Sequence, residues 1–319
     1  MLMPCPLCGG AGPKTLVREH GEYRLYDCPE CGLGYCEPFK NPGPEYYEHD
    51  ADHYSVNVDE RTDPMSFEYD AALDYLTANL PKGARLLDVG FGSGGFLFRT
   101  RAAGFSVTGV DFNSARVAAL KARGFDVSAG GLPDFARSAA PGSFDAITMF
   151  EVIEHVDNLA EWLGAAKSLL KPGGVFVVGT PNRNRTFDPF QGPGLEAIDN
   201  PPHHLTRWSA ASLSGALTRH GFEVLECRPL GYPLPMLQLI LRYRLSFGVA
   251  RKALKVEQVR YAPAGGAAPA GSGLVKALVA AKSAAIDGAA WLIYPFFLLA
   301  YKIFGWQGVP LIAISRRPR

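Results

Sequence analysis

The sequence predicts an α/β protein, a largely parallel sheet with helices on both faces, carrying a cysteine-held N-terminal arm and a helical hairpin inserted before the last strand. Three observations predict it. Short β-like runs alternate with amphipathic helical stretches from Arg85 to Arg228. Two CxxC pairs, Cys5/Cys8 and Cys28/Cys31, each followed by glycine, open the chain. Residues 232–306 then replace the alternation with two apolar helical stretches joined by a Pro/Ala/Gly/Ser-rich segment.

The CPxCG pairs bracket a stretch of β-hairpin length, which is the spacing of a tetrahedral site with four thiolate ligands. The glycine after each second cysteine lets backbone N–H groups approach the sulfurs. Zn²⁺ held by Cys5, Cys8, Cys28 and Cys31 is therefore expected over residues 1–40, with disulfides or a redox CxxC as alternatives. Cys36 and Cys227 remain as packing thiols. Thiolate ligation without a wider cysteine framework suits a reducing compartment. The first knuckle also occupies the place of a leader's apolar stretch, so a cytosolic protein is expected.

Residues 41–80 form a connector rich in Pro, Tyr, His and Asp, which ends in a helix over 66–79 closed by Pro81. The core, 81–231, then alternates: strand Arg85–Val89, helix Gly95–Ala103, strand Ser106–Val110, helix Ser114–Arg123, strand Phe125–Ser128. Strand Phe144–Met149, helix Leu159–Leu170, strand Val175–Thr180, helix Ala210–His220 and strand Phe222–Arg228 follow. In the insertion, Leu234–Leu254 and Leu274–Phe304 read as helices and Ala262–Gly273 as a linker. Val309–Ser315 is the final strand before a basic tail, within residues 307–319. At 319 residues with 47% hydrophobic and 20% charged positions, the chain has ample material for a packed core. A net charge of +1 provides no global field to draw nucleic acid.

Leu86-Leu-Asp-Val-Gly90-Phe-Gly92-Ser-Gly94-Gly95 is a strand running into a glycine loop that opens a helix. The glycines permit tight turning and close approach, and the helix N-terminus offers unpaired N–H groups. Gly90, Gly92 and Gly95 satisfy the dinucleotide pattern GxGxxG, whereas Gly90, Gly92 and Gly94 satisfy DxGxGxG of S-adenosylmethionine enzymes. The carboxylate of Asp88 would repel a pyrophosphate and attract the α-ammonium of S-adenosylmethionine. Asp111, at the end of the next strand, is spaced to bind both ribose hydroxyls.

These motifs, with Ser143–Val156, Lys171-Pro-Gly-Gly174, Thr180-Pro-Asn182 and Pro202–Trp208, resemble the class I methyltransferases, and the last is similar to the subgroup near ubiquinone-biosynthesis O-methyltransferases. The resemblance implies a Rossmann-like sheet, S-adenosylmethionine as cofactor, and further cofactor contacts from Phe112, Gly131, Leu132 and Glu151. Many relatives hold the adenine N6 with an acid where Gly131 stands, so the backbone of Gly131 and Leu132 is expected to serve instead. The arm and connector resemble those of bacterial methyltransferases from glycan and secondary-metabolite pathways. This implies a small-molecule, glycan or lipid-linked acceptor and a structural or gating role for the arm.

Methyl transfer from a sulfonium is an in-line displacement that must align the nucleophile and, for a hydroxyl, remove its proton. Glu151, Glu154, His155, His203 and His204 follow the fourth and fifth core strands, at the edge where open α/β sheets bind ligands. Three roles compete. His155, His203 or His204 is a general base. Glu151 and Glu154, on one helical turn, join His155 and a later histidine around Mg²⁺ or Mn²⁺, an arrangement similar to that of metal-dependent small-RNA 2′-O-methyltransferases. Alternatively, Glu154 caps backbone amides and His155 packs beneath the cofactor. Arg207 and Trp208 fall on the pocket wall or at the start of the next helix, which Ser209 would cap.

The uncharged run at 288–301 is shorter than the roughly 20 residues that cross a bilayer. It suits peripheral contact with a membrane's inner face, a lid over the site, or a homodimer interface. Rival functions are an RNA-directed enzyme using the zinc arm as reader, a nicotinamide dehydrogenase, and a non-catalytic cofactor-binding scaffold. Mixed charge on the arm (Lys14, Arg18 and Arg24 against Glu19, Glu22, Asp27 and Glu30) offers no basic face for nucleic acid.

Overall fold

A computed structural model describes residues 3–43, 45–46, 67–187, 199–244 and 273–319. The core is a seven-stranded sheet of β4 (Arg85–Val89), β5 (Ser106–Asp111), β6 (Asp126–Ala129), β7 (Phe144–Phe150), β8 (Leu170–Pro181), β10 (Glu223–Pro229) and β11 (Pro310–Arg316), in the order β10-β11-β8-β7-β4-β5-β6. β4 to β8 run parallel, and β11 is antiparallel to both β8 and β10. The chain leaves β4 first toward β5 and later returns to its other side at β7. The crevice between these two directions of winding, at the carboxyl ends of β4 and β7, is where such sheets bind ligands.

Strand alternation sorts the core into two layers. Leu87, Val89, Ile147, Met149 and Val178 face α4 (Leu132–Ser138), α5 (Leu159–Leu169) and α6 (Ala210–Arg219). Leu86, Ala146, Val175, Val177 and Ile312 face α1 (Phe67–Asn79) and α2 (Gly95–Ala102). α3 (Ser114–Ala122) packs Val117 and Leu120 against Leu97 and Val127. The expected elements are all present, with ends shifted by a residue or two. Exceptions are β8, whose pairing with β7 reaches back to Leu170 through an irregular register, and α4, which the sequence reading did not anticipate. Ser209 caps α6 through a reciprocal capping box with Ser212.

The arm is a three-stranded antiparallel unit, β1 (Thr15–His20), β2 (Tyr23–Asp27) and β3 (Gly34–Glu37). It is less separate than the sequence suggested. β3 pairs with β9 (Thr206–Arg207), which begins one residue after His203-His204, and Tyr26, Leu33 and Tyr35 share a buried cluster with the central sheet. Trp208 is fully buried in that cluster rather than on a pocket wall. Cys36 and Cys227 donate to the carbonyls of Pro38 and Ala210, as packing thiols do.

In the insertion, α7 (Leu234–Arg244) packs against α8 (Gly273–Phe304). The predicted continuation to Leu254, the linker at 262–272 and most of the connector between 44 and 66 lie outside the described residues.

Candidate active site

The glycine loop is shaped by backbone conformations that favour glycine: φ is +70° at Gly90, +55° at Gly92 and +83° at Gly94. A Cβ on Gly90 would stand 2.3 Å from Val152 Cγ2, whereas one on Gly92 would meet no protein atom within 4 Å. The loop is thus closed toward the β7 turn and open at Gly92. Gly94 is the N-cap of α2 and offers no side-chain cap, so that helix's first amides face the loop.

Both carboxylates are where the sequence places them, at the carboxyl ends of adjacent strands. Asp111 accepts from Gly92 N at 2.9 Å and from Asn113 N at 2.8 Å, which ties this carboxylate to the glycine loop. Asn113 in turn caps α3 by accepting from Arg116 N. Asp88 is buried and accepts from Thr148 Oγ1 at 2.7 Å. Burial pushes its carboxyl up to about 7, against the Thr148 hydrogen bond and with a smaller push from Asp111. Thr148 was not singled out from the sequence, because only the β4/β7 register brings it to Asp88.

Phe112 and Trp162 flank Gly131, with ring centroids 6.2 Å apart. A Cβ on Gly131 would fall 3.1 Å from Phe112 Cζ and 3.3 Å from Trp162 Cζ2, so the glycine fits between two aromatic edges. Leu132 is fully buried, which limits its contribution to the main-chain amide in the first turn of α4.

The second cluster gathers residues that are distant in sequence. After β7 the chain makes a tight turn rather than the helical turn expected for Glu151 and Glu154. Glu151 is exposed at φ +54°, a conformation unusual for a non-glycine residue, and donates its N–H to Gly179 O at 3.0 Å. Glu154 caps amides, but through its main-chain carbonyl, which accepts from Leu205 N and Thr206 N at 2.8 and 3.1 Å. These bonds bring His203 and His204 against His155, and ring nitrogens of all three lie within 4.8 Å of one another.

Their partners set the tautomers. His155 Nδ1 lies 2.6 Å from the carbonyl oxygen of His203, which can only accept, so Nδ1 carries the proton. His204 Nδ1 lies 3.2 Å from Asp199 Oδ1. Hydrogen bonding from His204 and the guanidinium groups of Arg185 and Arg207 hold Asp199 well below the usual carboxylate range, despite its burial. An ionised Asp199 makes His204 Nδ1 the donor. In both rings Nε2 is left as a proton acceptor, and each Nε2 is 4.0 Å from Glu154 Oε1. That oxygen is buried with no hydrogen bond among the described residues, while Oε2 accepts from Thr180 at 3.0 Å. Burial raises Glu154 to about 8 and lowers His155 and His204, with neighbouring imidazoles adding to the fall at His155. Neutral imidazoles facing a carboxyl oxygen can accept a proton or hold a cation.

In the arm, Cys5 and Cys28 have identical surroundings. Each donates its N–H to a carbonyl five residues on and accepts from the N–H of Gly9 or Gly32, all at 2.9 Å, with both glycines at φ +71°. The four thiols are free, with Cys5–Cys31 and Cys8–Cys28 sulfurs 3.6 Å apart. A tetrahedron with Zn–S of about 2.3 Å has sulfur–sulfur edges of about 3.8 Å, so the cluster has the dimensions of a zinc site and not of two disulfides.

Comparison with known proteins decides the family. A family model described as "Methyltransferase domain" matches residues 64–227. The chain belongs to this family.

A probable S-adenosylmethionine-dependent methyltransferase of Mycolicibacterium smegmatis is 38% identical over 120 residues, 37% of this chain and 44% of that protein. The ubiquinone biosynthesis O-methyltransferase of Pseudomonas aeruginosa strain LESB58 is 34% identical over 163 residues, 47% of this chain and 69% of that protein. The chain thus spans less than half of the first relative's length. Phosphoethanolamine N-methyltransferase 2 of Haemonchus contortus, solved with S-adenosyl-L-methionine, superposes with a TM-score of 0.55 at 14% identity, covering 86% of this chain and 60% of that one. Cyclopropane synthase MmaA2 of Mycobacterium tuberculosis superposes with a TM-score of 0.51 at 17% identity, covering 86% and 99%. Both share the fold.

The methyltransferase is therefore a class I enzyme that uses S-adenosylmethionine, which separates the two cofactors that its glycine pattern leaves open. The contact expected between Asp88 and the cofactor's ammonium requires an ionised carboxylate, and in the cofactor-free protein the carboxyl holds a proton below about pH 7. Affinity for S-adenosylhomocysteine should accordingly fall as pH drops through 7, approaching about ten-fold per unit. Calorimetry from pH 5.5 to 8 checks this: Asp88→Asn should bind weakly with a flat profile, and a wild-type profile equally flat would exclude the contact.

Proposed function

We propose that this methyltransferase moves the methyl group of S-adenosylmethionine to an oxygen of a glycan, lipid-linked or secondary-metabolite acceptor, with His155, His203 and His204 at the reacting hydroxyl. The convergence of His155 Nε2, His204 Nε2 and Glu154 Oε1 at the carboxyl edge of the sheet carries this reading. Asp88 and the amides of Gly90, Gly92 and Gly94 hold the methionine portion and Asp111 the ribose. Phe112, Gly131, Leu132 and Glu151 line the remainder. The acceptor oxygen attacks the methyl carbon in line with the carbon–sulfur bond, that bond breaks to leave S-adenosylhomocysteine, and the hydroxyl proton passes to an imidazole. His204 is the better acceptor, because Asp199 stabilises the imidazolium that forms.

A second reading has support in the same cluster. Nε2 of His155 and Nε2 of His204 each lie 4.0 Å from Glu154 Oε1, and two imidazoles with a carboxylate are a donor set for a divalent cation. Imidazole-rich ligation suits Mn²⁺ better than Mg²⁺. Such an ion would acidify the acceptor hydroxyl. In the arm, Zn²⁺ held by Cys5, Cys8, Cys28 and Cys31 is a closed structural site without an open position for chemistry. Thiolate ligation fits the cytoplasm as the protein's compartment.

His204→Ala separates these roles. The variant should lose at least about 100-fold in methyl transfer while retaining S-adenosylhomocysteine affinity within a few-fold, in the range of removing a general base. Loss of bound Mn²⁺ in the variant and inactivation of the wild type by chelation would favour the cation. Unchanged turnover would remove the cluster from the mechanism.

A further inference from the structure

We infer that the outer face of α8 docks the methyltransferase on an anionic lipid bilayer, lying along the surface rather than crossing it. The helix has 32 residues, and its segment Ala281–Phe304 is long and apolar enough to span a membrane by composition. Its contacts favour a different placement. Ile286 and Ala290 are buried, Tyr294 donates its hydroxyl to Tyr232 O at 3.1 Å, and Phe297 and Tyr301 pack their rings against Tyr232. These positions recur at helical spacing and hold one side of α8, from Ile286 to Tyr301, against Tyr232 and, through Phe297, against Phe187 after β8. A span through the bilayer would have to strip that side away.

The opposite side is open and large. Leu292, Phe296, Trp291, Ile303, Phe304 and Leu299 are 57–77% exposed. Solvated apolar side chains in this number on one helix mark a contact surface.

Charge selects the occupant. Residues 232–306 contain nine Lys and Arg against two acids, Glu257 and Asp287, in a chain whose net charge is +1. The insertion is therefore strongly basic and the remainder of the protein acidic. One of the two acids, Asp287, is already engaged by Arg242 of α7 through both guanidinium nitrogens. Lys282 and Lys302 bracket the uncharged run, placed to meet headgroups while the aromatic and aliphatic side chains enter the interface. A second copy of the same face would bring two basic insertions together, which like-charge repulsion opposes. An anionic lipid surface satisfies both the apolar face and its basic flanks.

The placement is coupled to the site. Five residues separate α8 from β11, and this turn is bonded to the segment after β8: Gln307 O accepts from Thr186 N at 2.9 Å, and Gly308 O accepts from Asn182 Nδ2 at 3.0 Å. The docking face therefore adjoins the carboxyl edge of the sheet, where the cofactor loop and the histidines lie.

Flotation of the full-length protein with phosphatidylcholine vesicles, with and without phosphatidylglycerol, tests the inference. The wild type should float with anionic vesicles at low salt, lose most of that binding at high salt, and bind neutral vesicles weakly. Leu292→Glu combined with Phe296→Glu should reduce anionic-vesicle binding at least about ten-fold while leaving S-adenosylhomocysteine affinity unchanged, since both side chains are solvent-exposed and none of the residues assigned to the cofactor lies on α8. Absence of wild-type binding to anionic vesicles, or equal binding by the double variant, would overturn the inference. So would a wild-type dimer that the double variant dissociates without any difference in vesicle binding.

Discussion

Asp111→Ala is expected to abolish methyl transfer and weaken S-adenosylhomocysteine binding by roughly 10²–10⁴-fold, as follows from losing two charge-assisted hydrogen bonds to the ribose at about 1.5–3 kcal/mol each. The loss has a second source. Asp111 also accepts from Gly92 N and Asn113 N, so it anchors the open glycine of the loop and the residue that caps α3. Asp111→Asn keeps one carbonyl acceptor and should fall between the wild type and the alanine variant. Calorimetric titration of the three proteins measures the series. Alanine-variant affinity within about three-fold of wild type would place the ribose elsewhere, because so small a change is under 1 kcal/mol.

Cys28→Ser should remove zinc, unfold the arm and reduce methyl transfer, while S-adenosylhomocysteine still binds. Structural zinc contributes about 10–16 kcal/mol of apparent binding energy to small domains of this kind, so losing one thiolate removes most of what holds the knuckles. The consequence extends beyond the arm because β3 pairs with Thr206 and Arg207, one residue after His203 and His204. With β3 released, that segment would keep the bonds from Leu205 and Thr206 to Glu154 O and from His155 Nδ1 to His203 O but lose the strand pairing that fixes Thr206 and Arg207. The cofactor loop lies on β4 and β5 and does not depend on that pairing. Metal analysis, thermal melting and the two activities measured in parallel give the answer. A variant that loses zinc yet melts and turns over like the wild type would make the site dispensable.

The sheet was legible because its strands and helices carry strong local patterns, and the glycine loop, Asp88 and Asp111 because they sit at the ends of those strands. The sequence also named His155, His203 and His204 individually. What it could not show was how they meet. Their meeting depends on the main-chain carbonyl of Glu154 and on a two-residue strand, β9, whose partner lies some 170 residues earlier. Asp199 escaped notice for the same reason: its role comes from contacts with His204, Arg185 and Arg207, not from a motif. The helical turn expected for Glu151 and Glu154 was wrong because the chain makes a tight turn there, with Glu151 at positive φ. α4 was missed because its seven residues follow two glycines and carry a proline in the first turn, which reads as loop.

The most direct test is transfer of labelled methyl from S-adenosylmethionine to fractionated lipids, glycans and RNA, followed by identification of the methylated atom. The account predicts label in a lipid or glycan fraction as a methyl ether on oxygen, formed by the wild type and lost in His204→Ala. Label on RNA, label on nitrogen or carbon, or label unaffected by His204→Ala would contradict it.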